Sequence, residues 1–212
     1  MTVTKHTYAA MTGDRITTEK RRSHWSDPKP AAVGLANGIY RWSTHEAHMK
    51  VTLDAGTALV TCVTTASGNT NIARANNWGV GGGRITAGMW TLSAEVTRSA
   101  GLPTPSIQVW YYNATGGGIG PSLVISGIEQ AGRVVWSLDP PTGTTFVSIV
   151  MRRPWGGHVV GDWYRISKTM LAPATQPSGY FDGDAASFFK GAREVTYGWE
   201  GAANASRPLE FD

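Results

Sequence analysis

Short runs that alternate between apolar and polar residues recur over most of this sequence, and they limit the folds open to it. In MWTLSAEVTRS, every second residue from Trp90 to Val96 is apolar and the residues between are polar. A two-residue period is that of a strand with one buried and one exposed face. The pattern therefore predicts β-strands, with one face of each strand directed into a core.

Similar runs follow one another along the chain and are separated by segments rich in Gly, Pro, Asn and Asp. The runs are ALVTCVTT, SIQVWYYNA, SLVISGI, RVVWSLD, TTFVSIVMRR and DWYRISKTML, and the intervening segments include ASGNTN, AGLPTP, ATGGGIGP and DPPTGT. Strands of this length at such spacing predict an all-β protein, an antiparallel β-sandwich or jelly roll. We expect the core to include Trp90, Leu92, Val96, Val147, Ile149 and Met151.

Composition supports this fold class and excludes a disulfide framework. The 212 residues include 26 Gly, 11 Pro and 9 Trp, and only 16% are charged, which favours many turns and aromatic-rich strands in one main domain. Cys62 is the single cysteine, and its place in an alternating run predicts a buried, unreactive thiol.

The positive charge of the chain lies in its first quarter. Residues 1–50 hold 8 of the 19 Lys and Arg and 4 of the 15 Asp and Glu, which leaves 11 of each sign in the remainder. We expect residues 1–50 to be a basic N-terminal arm, either a docking segment or a solvated leader. The neutral remainder lacks the broad positive face that nucleic-acid binding requires. No apolar run reaches the ~18 residues that span a bilayer, and no signal peptide is evident, so we expect a soluble protein made in a cytoplasm, with no membrane partner.

Catalytic and metal motifs are weak, and we predict no enzyme, no cofactor and no metal. No serine elbow, Cys–His pair or close pair of carboxylates occurs. His45 and His48 lack the spacing of a helical zinc site, and we expect both to be exposed to solvent. The glycines of WGVGGGRITAG precede a strand and predict a flexible turn.

The C-terminal stretch SGYFDGDAASFFKGAREVTYGW has an Asp-Gly turn, with Tyr180 and Phe181 before the turn and Tyr197 and Trp199 after it. We predict a structural clasp, a pair of strands across the sandwich, because four aromatic rings offer a large apolar area. A metal loop at Asp182 and Asp184 is the alternative, but two carboxylates fall short of the six to eight oxygens that calcium takes. DAASFFKGARE is also a candidate for a short helix. The clasp residues are Tyr180, Phe181, Asp182, Gly183, Tyr197 and Trp199.

The order of these segments resembles a known family. MWTLSAEVTRS, RVVWSLDPPTGTTFVSIVMRR, GDWYRISKTMLAPA, GYFDGDA and YGWEGAANASRP together resemble the carbohydrate-binding-module-like jelly-roll domain of minor tail proteins of actinobacteriophages, over roughly residues 85–208 and most specifically at the end. The resemblance implies a structural protein of the virion tail that contacts a host-surface glycan. We accordingly divide the chain into an arm at 1–50, a jelly-roll domain at 51–177 and the clasp at 178–212.

Carbohydrate-binding jelly rolls of this kind often hold a structural calcium ion with an Asp ligand on the last strand. Alignment of that strand with Met170 and Leu171 places Ser167 where this Asp would stand. We therefore predict that a calcium site of that kind is absent.

Four aromatic residues are candidates for sugar binding, since flat rings stack on pyranose rings: Trp110, Tyr112, Trp155 and Trp163. Alternation places Trp110 and Tyr112 on one face of their strand with Gln108. Packing of these rings against the arm, a neighbouring subunit or the clasp is the alternative. Trp155, beside Arg152, Arg153 and His158, suits either an anionic polymer or a protein interface.

Two other functions share this fold, a stand-alone carbohydrate-binding module and a capsid decoration protein. The aromatic content exceeds what one sandwich core requires, and we expect other chains to cover part of it. The predicted partners are other virion proteins through the arm, further copies in a homo-oligomer, and a host cell-wall glycan.

Overall fold

The computed structural model describes residues 42–68, 71–76, 85 and 87–173, together with the backbone of four strands near the termini. All regular elements of these residues are strands. In chain order they are β1 (Glu19–Arg22), β2 (Met49–Asp54), β3 (Thr57–Cys62), β4 (Asn71–Asn76), β5 (Trp90–Arg98), β6 (Ser106–Tyr112), β7 (Leu123–Ile125), β8 (Ile128–Gln130), β9 (Arg133–Leu138), β10 (Phe146–Arg152), β11 (Trp163–Pro173), β12 (Phe188–Lys190), β13 (Arg193–Trp199) and β14 (Pro208–Phe211). In the part of the chain that the structure describes, no helix is long and apolar enough to cross a membrane.

Two antiparallel sheets form the body of the protein. One has four strands in the order β4-β10-β6-β7, and the other has six in the order β2-β3-β11-β5-β9-β8. Buried side chains from both sheets belong to one apolar cluster. The chain is therefore an antiparallel β-sandwich of the jelly-roll type, as the alternating runs predict.

The core follows the predicted register. Trp90, Leu92, Val147, Ile149 and Met151 are buried, and Val96 is partly buried against the same cluster. The residues between them on β5 and β10 are more exposed, with the exceptions of the polar Ser93 and the apolar Val150, which are also buried. The sequence period thus sets which face of each strand is removed from water.

Within the sandwich, one predicted run is divided between two strands, and β4 lies outside the predicted runs. SLVISGI forms β7 at the edge of the four-stranded sheet and β8 at the edge of the six-stranded sheet. Gly127 allows the crossing, because a Cβ there would overlap the Pro105 carbonyl oxygen and the Val134 side chain. β4 lies in a segment without regular alternation. The turn that ASGNTN predicts ends at the first residue of β4, Asn71.

The sandwich begins before the boundary expected at residue 51. Trp42 is buried, and its Nε1 donates a hydrogen bond to Thr169 Oγ1 at 3.1 Å. Ser43 forms an isolated bridge to Arg74, and Met49 is part of the core. Residues 42–50 therefore pack as part of the jelly roll.

A β-bulge interrupts the longest strand. Pairing between β11 and β5 shifts between Ser167 and Met170, and Lys168 within the bulge has φ 48°. A left-handed conformation costs a residue with a side chain ~1–2 kcal/mol. Arg133 Nη2 donates a 2.6 Å hydrogen bond to the Lys168 carbonyl oxygen, which holds this conformation in place.

The two termini share a third sheet. Its order is β1-β14-β13-β12, all antiparallel, so the N-terminal segment pairs with the last strand. The helix suggested for DAASFFKGARE is wrong at Phe188–Lys190, which pairs with β13 as a strand. Two β-favouring runs with two residues between them select a hairpin over a helix. Tyr180–Gly183 lie outside the described residues, and the side-chain packing of Tyr197 and Trp199 stays a prediction.

Replacing Leu92 with Ala should lower the free energy of unfolding by about 2–5 kcal/mol, because it leaves a cavity in the core. Thr97→Ala, at an exposed position of the same strand, is the matched control and should cost less than about 1 kcal/mol. Urea denaturation measures both, and equal losses would show that the register is wrong.

Deleting residues 208–212 should expose the backbone amides of Glu19–Arg22, because β14 is the strand that pairs with β1. Hydrogen exchange read by mass spectrometry should then show faster exchange in residues 19–22, with β5 unchanged as the internal control. Unaltered protection of residues 19–22 would contradict the pairing.

Candidate functional site

The outer face of the four-stranded sheet carries a row of aromatic side chains. On β6, Ile107, Val109 and Tyr111 are buried, whereas Gln108, Trp110 and Tyr112 are partly exposed, as alternation predicts. Phe146 on β10 lies directly opposite Tyr112 and is also partly exposed. Neighbouring positions on one sheet face are within reach of large side chains. We call the surface formed by Trp110, Tyr112 and Phe146 the aromatic platform.

Polar groups border the aromatic platform. Ser148 lies opposite Trp110, and Gln108 Nε2 donates a 2.9 Å hydrogen bond to Ser122 Oγ. Tyr112 and Ser148 also take part in further interactions. The loop after β6 is fixed, because Asn113 Oδ1 accepts hydrogen bonds from the Thr115 and Gly117 amides at 3.0 and 2.8 Å.

Phe146 was missed in the sequence. Alternation in TTFVSIVMRR places it on the face opposite the predicted core, but only the pairing of β10 with β6 places it beside Tyr112. The alternation within β10 can be read from the sequence, whereas the register between β10 and β6 cannot.

Trp163 lies on the other side of the molecule. It alternates with buried Tyr164 and Ile166 on β11, so it faces outward from the six-stranded sheet. The Arg165 guanidinium lies over its ring at 5.6 Å from the centroid, and Arg165 also pairs with Asp54 at 3.0 Å. Trp163 therefore cannot join the aromatic platform, and a cation covers one face of its ring.

Trp155 is the exposed tip of the loop between β10 and β11. It is 67% exposed, and the sandwich places it in neither sheet face. The four candidate sugar-binding residues thus fall into three places: Trp110 and Tyr112 together, Trp155 alone and Trp163 alone.

The histidine prediction is wrong for His48. This residue is buried, and its ring stacks on that of His158 with centroids 5.6 Å apart. His158 also meets the edge of Tyr164 at 6.2 Å. The segment before β2 turns inward here, because the strand starts at Met49 and not earlier. Burial lowers the pKa of the partly exposed His45, and the Glu46 carboxylate opposes that shift.

Ser167, which stands where the resemblance places a calcium-ligating Asp, lies opposite Glu95 at the start of the bulge in β11. Lys168 Nζ forms an ion pair with Glu95 at 2.9 Å, and the Arg133 guanidinium donates a hydrogen bond to the carbonyl oxygen of Lys168. Among the described residues, no group of three or more His, Cys, Asp or Glu side chains is placed to hold a metal.

Two buried tyrosines resist ionisation. Burial raises the pKa of Tyr111 to about 12, and the Asp139 carboxylate adds to the effect. Burial likewise raises the pKa of Tyr164 to about 12. Tyr111 lies on β6 directly between Trp110 and Tyr112, so its neutral phenol is part of the core that supports the aromatic platform.

Stability should fall as pH rises through the range from about 10 to 12, because the unfolded chain ionises these phenols near pH 10 while the folded chain keeps them protonated. Below pH 10 the contribution is fully present. Urea denaturation at stepped pH should show a shallower decline for the Tyr111→Phe/Tyr164→Phe double variant. The same slope for both proteins would contradict the assignment.

The sequence matches no protein-family model and no curated protein. Among solved structures, it is similar to a mutant of a family 29 carbohydrate-binding module, with a TM-score of 0.40 and 13% identity over 74% of this chain and 85% of that one. The enzymatically active domain of tailspike protein 4 of bacteriophage CBA120 gives 0.38 and 13%, over 62% of this chain and 19% of that one. Accessory secretory proteins 1, 2 and 3 of Streptococcus pneumoniae give 0.42 and 8%, over 73% and 96%. At these scores the similarities assign neither a ligand nor an activity to this chain.

Proposed function

We propose that this chain is a non-enzymatic structural protein of a phage tail that contacts a host-surface glycan through the aromatic platform. The observation that carries the glycan-binding part is the placement of Trp110, Tyr112 and Phe146 on one outer sheet face. The tail role is supported by the resemblance of the segments between residues 85 and 208.

The aromatic platform has the physical properties that sugar binding requires. Its rings are attached to paired strands, so stacking a pyranose ring against them costs little conformational entropy. Gln108, whose Nε2 is positioned by its hydrogen bond to Ser122 Oγ, places a polar side chain beside the rings. An apolar surface with a few placed polar groups is the usual composition of a ligand site.

Attachment to the particle is assigned to the basic N-terminal segment. In this proposal the segment before Trp42 docks on other virion proteins while Glu19–Arg22 stays paired with β14, and several copies assemble in the tail. A stand-alone carbohydrate-binding module would share the aromatic platform but would need no docking segment. A capsid decoration protein would share the sandwich and differ only in its place in the particle.

Trp110→Ala should weaken glycan binding by roughly tenfold or more, the loss expected for a stacked aromatic anchor. Trp163→Ala is the matched control, because that ring lies on the opposite sheet and is covered by Arg165. Binding is measured on a glycan array and by co-sedimentation with insoluble host cell wall. Equal effects of the two substitutions, or no binding by the parent protein, would rule out the aromatic platform as a glycan site.

Immunogold labelling of purified virions tests the location independently of the ligand. Labelling confined to the tail is the expected result. Labelling of the capsid would favour the decoration protein, and absence from the particle together with selective glycan binding would favour the stand-alone module.

A further inference from the structure

One end of the sandwich carries a rigid loop with exposed apolar side chains. The loop spans residues 153–162 between β10 and β11. Gly157 packs so closely on the Ala66 carbonyl that a Cβ would overlap it, and Asp162 accepts a 3.0 Å hydrogen bond from the Val159 amide. The Arg153 guanidinium donates a hydrogen bond across the loop to the Gly157 carbonyl oxygen.

The loop tip is apolar and not cationic. Trp155, Val159 and Val160 are 67%, 58% and 63% exposed. Arg153 is turned inward to the Gly157 carbonyl and to Asp162 at 3.7 Å, and His158 is buried. Two of the three cations expected around Trp155 are therefore absent from the tip. This favours a protein interface over an anionic polymer as the partner of Trp155.

The same end of the sandwich has a pocket of about 320 Å³. It is lined by Val96, Arg98, Val134 and residues 129–133, at the end of β5 and at the β8–β9 turn. In the register of β5 and β11, Arg98 lies opposite Tyr164, the second residue of β11. The first residue of β11, Trp163, directly follows the loop. The exposed loop and the pocket therefore lie at one end of the six-stranded sheet, on neighbouring strands.

We propose that this end is a dimer interface in which Trp155 of each copy inserts into the pocket of the other. Both elements lie at one end, so a two-fold axis between them satisfies both contacts at once and closes the assembly at two copies. The inference concerns a different surface from the aromatic platform and does not depend on glycan binding.

The pocket suits an indole in size and in chemistry. A cavity of about 150 Å³ accommodates a benzene ring, so the larger pocket has room for the two fused rings of Trp. Arg98 uses Nε for the Leu102 carbonyl at 2.8 Å and Nη2 for Glu129 at 2.7 Å. Nη2 also donates to Thr104 Oγ1 at 3.2 Å, so the guanidinium is held at the wall of the pocket, where the side chain is 23% exposed. A guanidinium is a group on which aromatic rings stack.

The remaining contact area would come from the surroundings of these two elements. An interface of standard size covers ~800 Å² on each partner, of which a Trp side chain supplies on the order of 150–250 Å². Val159 and Val160 extend the apolar centre, and the polar β8–β9 turn forms a rim around the pocket. A few aromatic and Arg anchors within a larger contact are typical of protein interfaces.

Sedimentation equilibrium of the full chain tests the proposal. The parent protein should dimerise, and Trp155→Ser should raise the dimer Kd by roughly 30-fold or more. Met89→Ser, at an exposed apolar position beside the end of β5 opposite to Arg98, is the matched control and should leave the Kd unchanged. Because Trp155 is exposed in the monomer, its variant should keep the melting temperature of the parent at concentrations below the dimer Kd, where both proteins are monomeric.

Cysteine cross-linking tests the reciprocal geometry. In an oxidised mixture of Trp155→Cys and Gln130→Cys copies, the disulfide should join one variant to the other, since Gln130 lines the pocket. Each variant alone should give no cross-link. A monomeric parent protein, a Trp155→Ser variant that dimerises as the parent does, or a mixture without the mixed disulfide would overturn the proposal.

Discussion

The β-bulge in β11 is the constraint on which the six-stranded sheet depends. Before the bulge, Tyr164 and Ile166 belong to the apolar cluster, and after it Leu171 does. Without the extra residue, the second half of the strand would turn Leu171 away from the apolar cluster. The same shift brings Thr169 to the indole of Trp42, which ties the segment before β2 to the sandwich.

Cationic side chains support that bulge. Lys168 adopts a conformation that is unfavourable for a residue with a Cβ, and its carbonyl oxygen and ammonium group are bound by Arg133 and Glu95 respectively. Arg133 therefore connects the rim of the pocket at the end of the sandwich to the register of the central strands. The packing of the core, the hydrogen bond of Trp42 and the shape of the pocket therefore all depend on the bulge at Lys168.

The two proposed contact surfaces are physically separate. The aromatic platform lies on the outer face of the four-stranded sheet, whereas Trp155 and the pocket lie at the end of the six-stranded sheet. A sandwich has two outer faces and two ends, so a module of this kind can contact a glycan and a second subunit at the same time. Substitutions at one surface leave the other intact, because no residue is shared between them.

The sequence alone determined which side chains are buried, because a two-residue period on a strand has only two faces and water selects between them. It therefore predicted β3, β5, β6 and β9 to β11, the core residues of β5 and β10, and the shared face of Trp110 and Tyr112. It did not predict β4, which has little apolar pattern, or the strand at Phe188, whose residues also suit a helix. Only the tertiary structure decided that Phe146 joins the aromatic platform, that Trp163 lies on the opposite sheet, and that Arg153 bonds within its own loop while His158 is buried. These relations depend on strand order and on loop closure between residues far apart in the chain, and a local period carries no information about either.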